Sequence, residues 1–213
     1  MKIKYWMTKD PITVTPDILA VEAQKIMKEN KIRRLPVVEK GKLVGIVTFR
    51  NLMEAAPSSA TSLSIYELNY LIMKMKVKDL MKKNVITVSP EDTVIDAISL
   101  GMKHDIGGFP VLDEQGKLVG IVTETQISRA MMQLFGTNVK EEIIHIENVD
   151  LQTGTFGSIV AVAEKLGVKI ISMFSVPKRT TDLMRVYLRI QPVNNDKEKV
   201  VAQLKKTGYE IEE

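Results

Sequence analysis

Two threonines, Thr48 and Thr123, close the same eight-residue string, Gly-Lys-Leu-Val-Gly-Ile-Val-Thr, at residues 41–48 and 116–123. Each ends a short apolar run with a hydroxyl, and the residues that follow can open a helix. A hydroxyl at a strand end, set at a helix start, suits an anionic group, because unpaired backbone N–H groups and the helix dipole favour negative charge there. The string occurs twice, so the chain offers a pair of such places. Other chemistry is missing. There is no cysteine, which removes disulfides, thiolate catalysis and zinc–thiolate sites. His104 and His145 have no partner pattern near them, and G-x-S-x-G, P-loop, H-E-x-x-H and G-x-G-x-x-G motifs do not occur. Neither an enzyme nor a metal site is expected, and the twelve methionines are read as gap fillers of the core.

The element that positions each threonine is a hairpin. Gly41 suits its tight turn, since glycine takes positive φ at no steric cost. Leu43, Val44, Ile46 and Val47 make the nearly continuous apolar run of a strand buried on both faces. The repeat extends beyond this string. At an offset of 74, Lys4 and Met7 match Lys78 and Met81, and Ile12-Thr13-Val14 matches Ile86-Thr87-Val88. Thr15-Pro16-Asp17 aligns with Ser89-Pro90-Glu91, and Leu35-Pro36-Val37-Val38 with Phe109-Pro110-Val111-Leu112. The offset grows to 75 in the second hairpin turn, where an insertion costs little; in a strand it would reverse the faces. The two triplets predict helix starts, each with a hydroxyl N-cap, a proline and an acid facing the dipole. Each repeat reads strand, helix, strand, strand, short helix. Two such units, each too small for its own core, are expected to stack about a pseudo-twofold axis and share one.

The order helix, Leu-Pro-Val, turn, Gly-Lys-Leu-Val-Gly-Ile-Val-Thr, helix resembles a CBS domain, and two in tandem resemble the Bateman module. The resemblance implies clefts that bind an adenosine nucleotide such as AMP, ADP or ATP, or a related adenosyl ligand such as S-adenosylmethionine. It puts Thr48 and Thr123 at the family's hydroxyl position. Asn51 and Gln126 stand where the family has an aspartate for ribose; an amide accepts a ribose hydroxyl but lacks the charge that strengthens the bond. Arg50 and Thr125 fall at the position just before. Arg33 and Arg34 precede the Leu-Pro-Val strand, where family members place basic groups against phosphate, a task suited to arginine's planar fork. Their counterparts Gly107 and Gly108 permit close backbone approach or simply form a turn. Thr13, Thr87, Pro36, Pro110 and Gly108 complete the implied nucleotide-binding set. With three arginines, phosphorylated adenosine is expected to bind better than adenosine.

Residues 55–76 join the repeats. Ala-Ala-Pro-Ser-Ser-Ala-Thr-Ser is a linker by composition, Ser64 to Glu67 has the capping-box pattern, and Leu68, Leu71, Ile72 and Met75 share one helical face. This stretch resembles the linker of AcuB-type acetoin-utilisation proteins. After residue 137 the pattern changes. Ile144 and Ile146 alternate about His145, and Phe156, Ile159, Val160, Ala163 and Leu166 form a helical stripe closed by Gly167. Strands over 168–176 and 183–191, a helix ending at Gly208 and a last strand over 209–211 complete a βαββαβ order. That order resembles an ACT domain, a ferredoxin-like fold, which implies an amino acid ligand near the loop of Thr153 and Gly154. The expected fold class is therefore α/β (α+β). Its expected domains are CBS repeats at 1–56 and 77–137, a linker at 57–76 and an ACT domain at 138–213.

Charge and hydropathy narrow the partners. The first 140 residues carry 20 Lys/Arg against 15 Asp/Glu, an excess that suits a small phosphorylated ligand and is too diffuse for nucleic acid. No apolar run is long enough to cross a bilayer, and the N-terminus has no apolar signal region, so a cytoplasmic protein is expected. The resemblances together imply a homodimeric, non-catalytic regulator of a target enzyme in acetoin or central carbon metabolism. The alternative is a dimerising module with vestigial clefts that docks on a partner enzyme.

Overall fold

Both copies of the repeated string form the second arm of an antiparallel hairpin. In the computed structural model, which describes residues 1–54, 74–136, 141–191 and 195–212, β2 (Arg34–Glu39) pairs with β3 (Lys42–Thr48), Leu35 opposite Val47. Likewise β4 (Gly108–Leu112) pairs with β5 (Leu118–Thr123), Phe109 opposite Val122. Gly41 and Gly116 take φ of +77° and +75° in the turns, the left-handed region that glycine enters without strain. The extra residue of the second hairpin stays in its turn, where the Asp113 carboxylate accepts from the N–H groups of Gln115 and Lys117 at 3.1 and 2.8 Å. Ile46 and Val47 are buried as expected, whereas Leu43 and Val44 nearer the turn are half-buried. The expected first strands shrink to single parallel bridges, Val14 with Val37 and Val88 with Val111.

The chain falls into two units, Met1–Met131 and Met132–Glu213. Within the first, the repeats do not share one core. Two clusters form among the described residues, one around Ala23, Met27, Leu35 and Val47, the other around Ala97, Phe109, Val111 and Val122. Each is completed from the opposite repeat. Ile3, on the short 3-10 turn Ile3–Tyr5, is fully buried in the second repeat's cluster, and Val77, on α3 (Val77–Leu80), is fully buried in the first's. Burying such a side chain is worth about 1.5–3 kcal/mol.

This exchange moves the predicted helix starts. The helices are α1 (Ala20–Glu29) and α4 (Val94–His104), which begin beyond the Thr-Pro-Asp and Ser-Pro-Glu triplets. The carbonyls of Pro16 and Ile18 accept from Lys78 N–H and Val77 N–H, both at 2.9 Å, and those of Pro90 and Asp92 accept from Lys4 N–H and Ile3 N–H at 3.0 and 2.9 Å. These loops are therefore extended ledges for the opposite repeat rather than first helical turns. Their acids follow: Asp17 pairs with Lys76 and Lys78 at 3.0 and 2.9 Å, and Glu91 with Lys4 at 2.8 Å. The second helix is capped instead by Thr93, whose side chain accepts from Asp96 N–H at 3.1 Å.

Continuing from each turn, β1 (Thr8–Lys9) pairs antiparallel with β5, Thr8 opposite Ile121. Lys82 makes the matching bridge to Ile46, with bonds of 2.9 and 3.0 Å. The Met7 and Met81 side chains then lie over Gly120 and Gly45. A Cβ on Gly120 would sit 2.6 Å from Met7 Sδ, and one on Gly45 would sit 2.5 Å from Met81 Sδ. The glycine inside the repeated string is thus where the opposite repeat's methionine crosses it.

In the second unit, β6 (Glu142–Val149), α6 (Thr155–Lys165), β7 (Lys169–Pro177), β8 (Met184–Gln191), α7 (Asp196–Lys206) and β9 (Glu210–Ile211) follow the βαββαβ order. They make one antiparallel sheet in the order β7-β8-β6-β9. Ile144, Ile146, Leu188 and Ile190 of the sheet pack with Ile159, Val162 and Ala163 of α6 and with Val200 and Leu204 of α7. The helical stripe is therefore turned from its expected line: Phe156 and Leu166 are exposed, and Val162 is buried instead. The linker pattern from Ser64 to Ile72 lies outside the described residues. Among those described, no helix is long and apolar enough to cross a membrane.

Two outcomes are expected. Gly120→Ala and Gly45→Ala should each destabilise by about 1–3 kcal/mol through overpacking, with Met7→Ala partly rescuing the first and Met81→Ala the second in denaturant titrations. Hydrogen bonds from Lys78 and Lys4 hold the Asp17 and Glu91 carboxyls below their usual range. A carboxylate shifted down adds stability that is complete above its unfolded pKa and lost as pH falls through the folded value. Replacing both by amides should therefore flatten the acid limb of a stability–pH curve, and salt should blunt the difference because the pairs are exposed.

Candidate functional site

Each repeated string delivers its threonine to the start of a helix, Thr48 to α2 (Phe49–Glu54) and Thr123 to α5 (Glu124–Phe135). Asn51 Oδ1 accepts from the Thr48 hydroxyl at 2.7 Å and from its N–H at 3.1 Å, while Thr48 Oγ1 accepts from Asn51 N–H at 3.1 Å. Gln126 Oε1 likewise accepts from the Thr123 hydroxyl and, at 3.1 Å, from its N–H. The first is a reciprocal cap that satisfies donors at its helix start, and the second repeats its side-chain half. They change what the amides can offer. The Asn51 oxygen, expected to accept from ribose, is engaged, and its Nδ2 remains as a donor. In Gln126 both ends are engaged, because Nε2 donates to Thr8 Oγ1 at 2.9 Å.

The arginines divide. Arg50 is exposed and bonded to Glu54 at 2.6 Å along its own helix, with Asp105 of the other repeat adding a weaker pull. Arg33 is exposed. Arg34, half-buried at the start of β2, reaches into the second repeat. Its Cδ lies 3.2 Å from where Gly108 would carry a Cβ, and its Nη2 lies 2.6 Å from the same point on Gly107, where the Glu124 carboxylate also converges. The asymmetry of Arg33-Arg34 against Gly107-Gly108 thus has a packing reason: the glycines make room for Arg34 and Glu124. Burial lowers the pKa of Arg34, partly offset by Glu124 and reinforced by Arg33. Of the remaining expected residues, Pro36, Gly108 and Pro110 are buried in β2 and β4, Thr87 is half-buried, and Thr13 and Thr125 are exposed. Glu124 and Asp105 were not legible as site residues; a carboxylate beside a Gly-Gly pair was the available signal.

In the second unit a cleft of about 350 Å³ opens beside the loop after β6, lined by Asp150, Thr155 and Tyr209 among others. Thr153 and Gly154 stand exposed next to it, Gly154 preceding α6 at φ +91°. The loop is closed by Thr155 Oγ1, which accepts from Gln152 N–H at 3.0 Å and donates to Asp150 O at 3.1 Å. Nearby, Glu147 is held below its usual pKa by Arg185 and then by Lys178. His145, read as unpartnered, sits 3.0 Å from Glu212. No cluster of metal-ligating side chains is present among the described residues.

Comparison with known proteins agrees with the first unit's architecture. The CBS domain model matches residues 3–58 and 77–133, and the chain belongs to the CBS-domain family. A CBS domain-containing protein of Dictyostelium discoideum is 34% identical over 126 residues, 59% of this chain and 87% of that one. The L-aspartate semialdehyde sulfurtransferase of Methanocaldococcus jannaschii is 37% identical over 136 residues, but the match spans only 23% of that enzyme. Among solved structures, the CBS domain pair of protein MJ0100 in complex with 5′-methylthioadenosine and S-adenosyl-L-methionine has 32% identity and a TM-score of 0.53, over 63% of this chain and 98% of that one. CBSX2 in complex with AMP has 29% identity and a TM-score of 0.53, with the same coverage.

The capping role is testable without a ligand. Asn51→Ala should cost about 1 kcal/mol and speed amide exchange at Thr48, whose N–H loses its acceptor, whereas Asn51→Asp, which keeps the acceptor, should leave both nearly unchanged.

Proposed function

We propose that this chain is a non-catalytic regulatory protein whose CBS pair binds an adenosine nucleotide or related adenosyl ligand. The observation that carries this reading is the likeness to CBS pairs solved with AMP and with S-adenosylmethionine and methylthioadenosine, across most of the first unit. The local chemistry supports it. Thr48 and Asn51 stand at the start of a helix, whose dipole favours negative charge there, Asn51 Nδ2 offers a donor, and Arg34 crosses between the repeats. On this reading the nucleotide contacts are Thr13, Arg33, Arg34, Pro36, Thr48, Arg50 and Asn51 from the first repeat. The second contributes Thr87, Gly108, Pro110, Thr123, Thr125 and Gln126. The βαββαβ unit is read as an ACT domain with an amino acid near Thr153 and Gly154, on a homodimer that acts on a target enzyme in acetoin or central carbon metabolism.

One observation favours the second reading, an interaction module with vestigial clefts. Gln126 is engaged at both ends within the chain, which leaves the second threonine with little to offer a ligand, and in the first repeat Arg50 is bonded to Glu54.

Thermal denaturation with adenosine, AMP, ATP, methylthioadenosine and S-adenosylmethionine separates the two. A ligand that binds only the folded state raises the midpoint with its concentration. The proposal expects such a rise for at least one adenosyl compound, stronger for AMP than for adenosine. Arg34→Ala should weaken AMP at least tenfold, about 1.4 kcal/mol. No shift with any of the five would leave the interaction module as the better account.

A further inference from the structure

The two repeats differ most in the space between their helices. In the first, Met27 is fully buried, and Gln24 Nε2 donates to Met53 Sδ at 3.3 Å, joining α1 to α2. The residues at the same places in the second repeat are Gly101, Ile98 and Ser128. Two large methionines are thus replaced by a glycine and a serine. Phe109, standing for Leu35, recovers part of the volume, with its Cζ 3.7 Å from where Gly101 would carry a Cβ. What remains is a cleft of about 370 Å³ between α4 and α5.

The walls and the mouth of this cleft are chemically distinct. Ile98, Ile106, Phe109 and Ile127 supply an apolar interior, while Asp105, Glu124 and Ser128 bring polar groups to it. Arg34 Nη2 comes in over Gly107 beside Glu124. Among the described residues, the charged heads of Arg34, Asp105 and Glu124 form no hydrogen bond or ion pair, only longer-range attractions of Arg34 to Glu124 and of Arg50 to Asp105. Opposite charges held near each other without closing on one another leave both signs available to a guest.

We propose that this cleft binds a free α-amino acid with an apolar side chain. The side chain lies against the isoleucines and Phe109, the ammonium reaches Asp105 and Glu124, and the carboxylate reaches Arg34. The volume lies near the lower end of the roughly 300–1,000 Å³ of small-molecule sites, which suits an amino acid. Two carboxylates at the mouth match a zwitterion and disfavour a phosphate. In the first repeat Met27 is buried at the place of Gly101 and Met53 meets Gln24 at the place of Ser128, so the proposal puts the site in the second repeat alone. It shares Arg34 with the adenosyl reading, so the two ligands would compete for that guanidinium, and it is separate from the loop of Thr153 and Gly154.

Calorimetry on the full chain with L-leucine, L-methionine and L-phenylalanine, and L-glutamate as control, tests it. At least one apolar amino acid should saturate one site per chain at low millimolar concentration or below, and L-glutamate should not. Ser128→Met restores the first repeat's residue at an exposed position, so the fold should persist, as an unchanged unfolding midpoint would verify. It should weaken binding at least tenfold, and Glu124→Gln, which removes one partner of the ammonium, should do the same. No binding of any apolar amino acid, or binding that Ser128→Met leaves intact and so belongs to another site, would overturn the proposal.

Discussion

The burial of Ile3 in the second repeat and of Val77 in the first is the contact on which the rest of the N-terminal unit depends. A repeat of this size buries little apolar surface and is marginal alone, and here each cluster takes a fully buried side chain from the other. The surrounding features serve that exchange. Loop carbonyls at Pro16, Ile18, Pro90 and Asp92 are turned to receive the incoming turns, lysines meet Asp17 and Glu91, and a glycine in each β-strand admits a methionine. Folding of one repeat is thereby tied to folding of the other.

That tie fixes what the candidate site can do. Because the hairpins are held face to face by exchanged segments, Arg34 of the first repeat reaches Gly107, Gly108 and Glu124 of the second. The pseudo-symmetry is broken there. One side presents arginine and the other glycine and carboxylate, so two similar backbones give two unlike environments. The same asymmetry recurs between the helices, where methionines close the space in the first repeat and leave it open in the second.

Much of this was legible in the sequence. Eight identical residues and the offset of 74 gave the hairpins, the paired threonines at helix starts and the equivalence of the halves, and alternation gave the βαββαβ order. What the pattern could not show was which repeat each residue serves. Lys4, Met7, Lys78 and Met81 were matched correctly as pairs, yet their side chains work across the pseudo-twofold. Nor does local propensity reveal that Thr-Pro-Asp faces another segment; the triplet carries every sign of a helix start, and tertiary hydrogen bonds overrule it. Arg189 was invisible for a similar reason. It reads as an outward position on a strand but is buried, where it pairs with Glu141 and donates to the carbonyl of Leu134 at 2.9 Å, near the end of α5.

Hydrogen exchange on an Ile3→Ala variant tests the dependence of one repeat on the other most directly. Truncating a fully buried isoleucine costs about 2–5 kcal/mol. The account predicts that the lost protection appears first at Val111 and Val122, in the repeat that sequence order does not assign to Ile3. Loss confined to the first repeat's own hairpin, with the second unaffected, would contradict it.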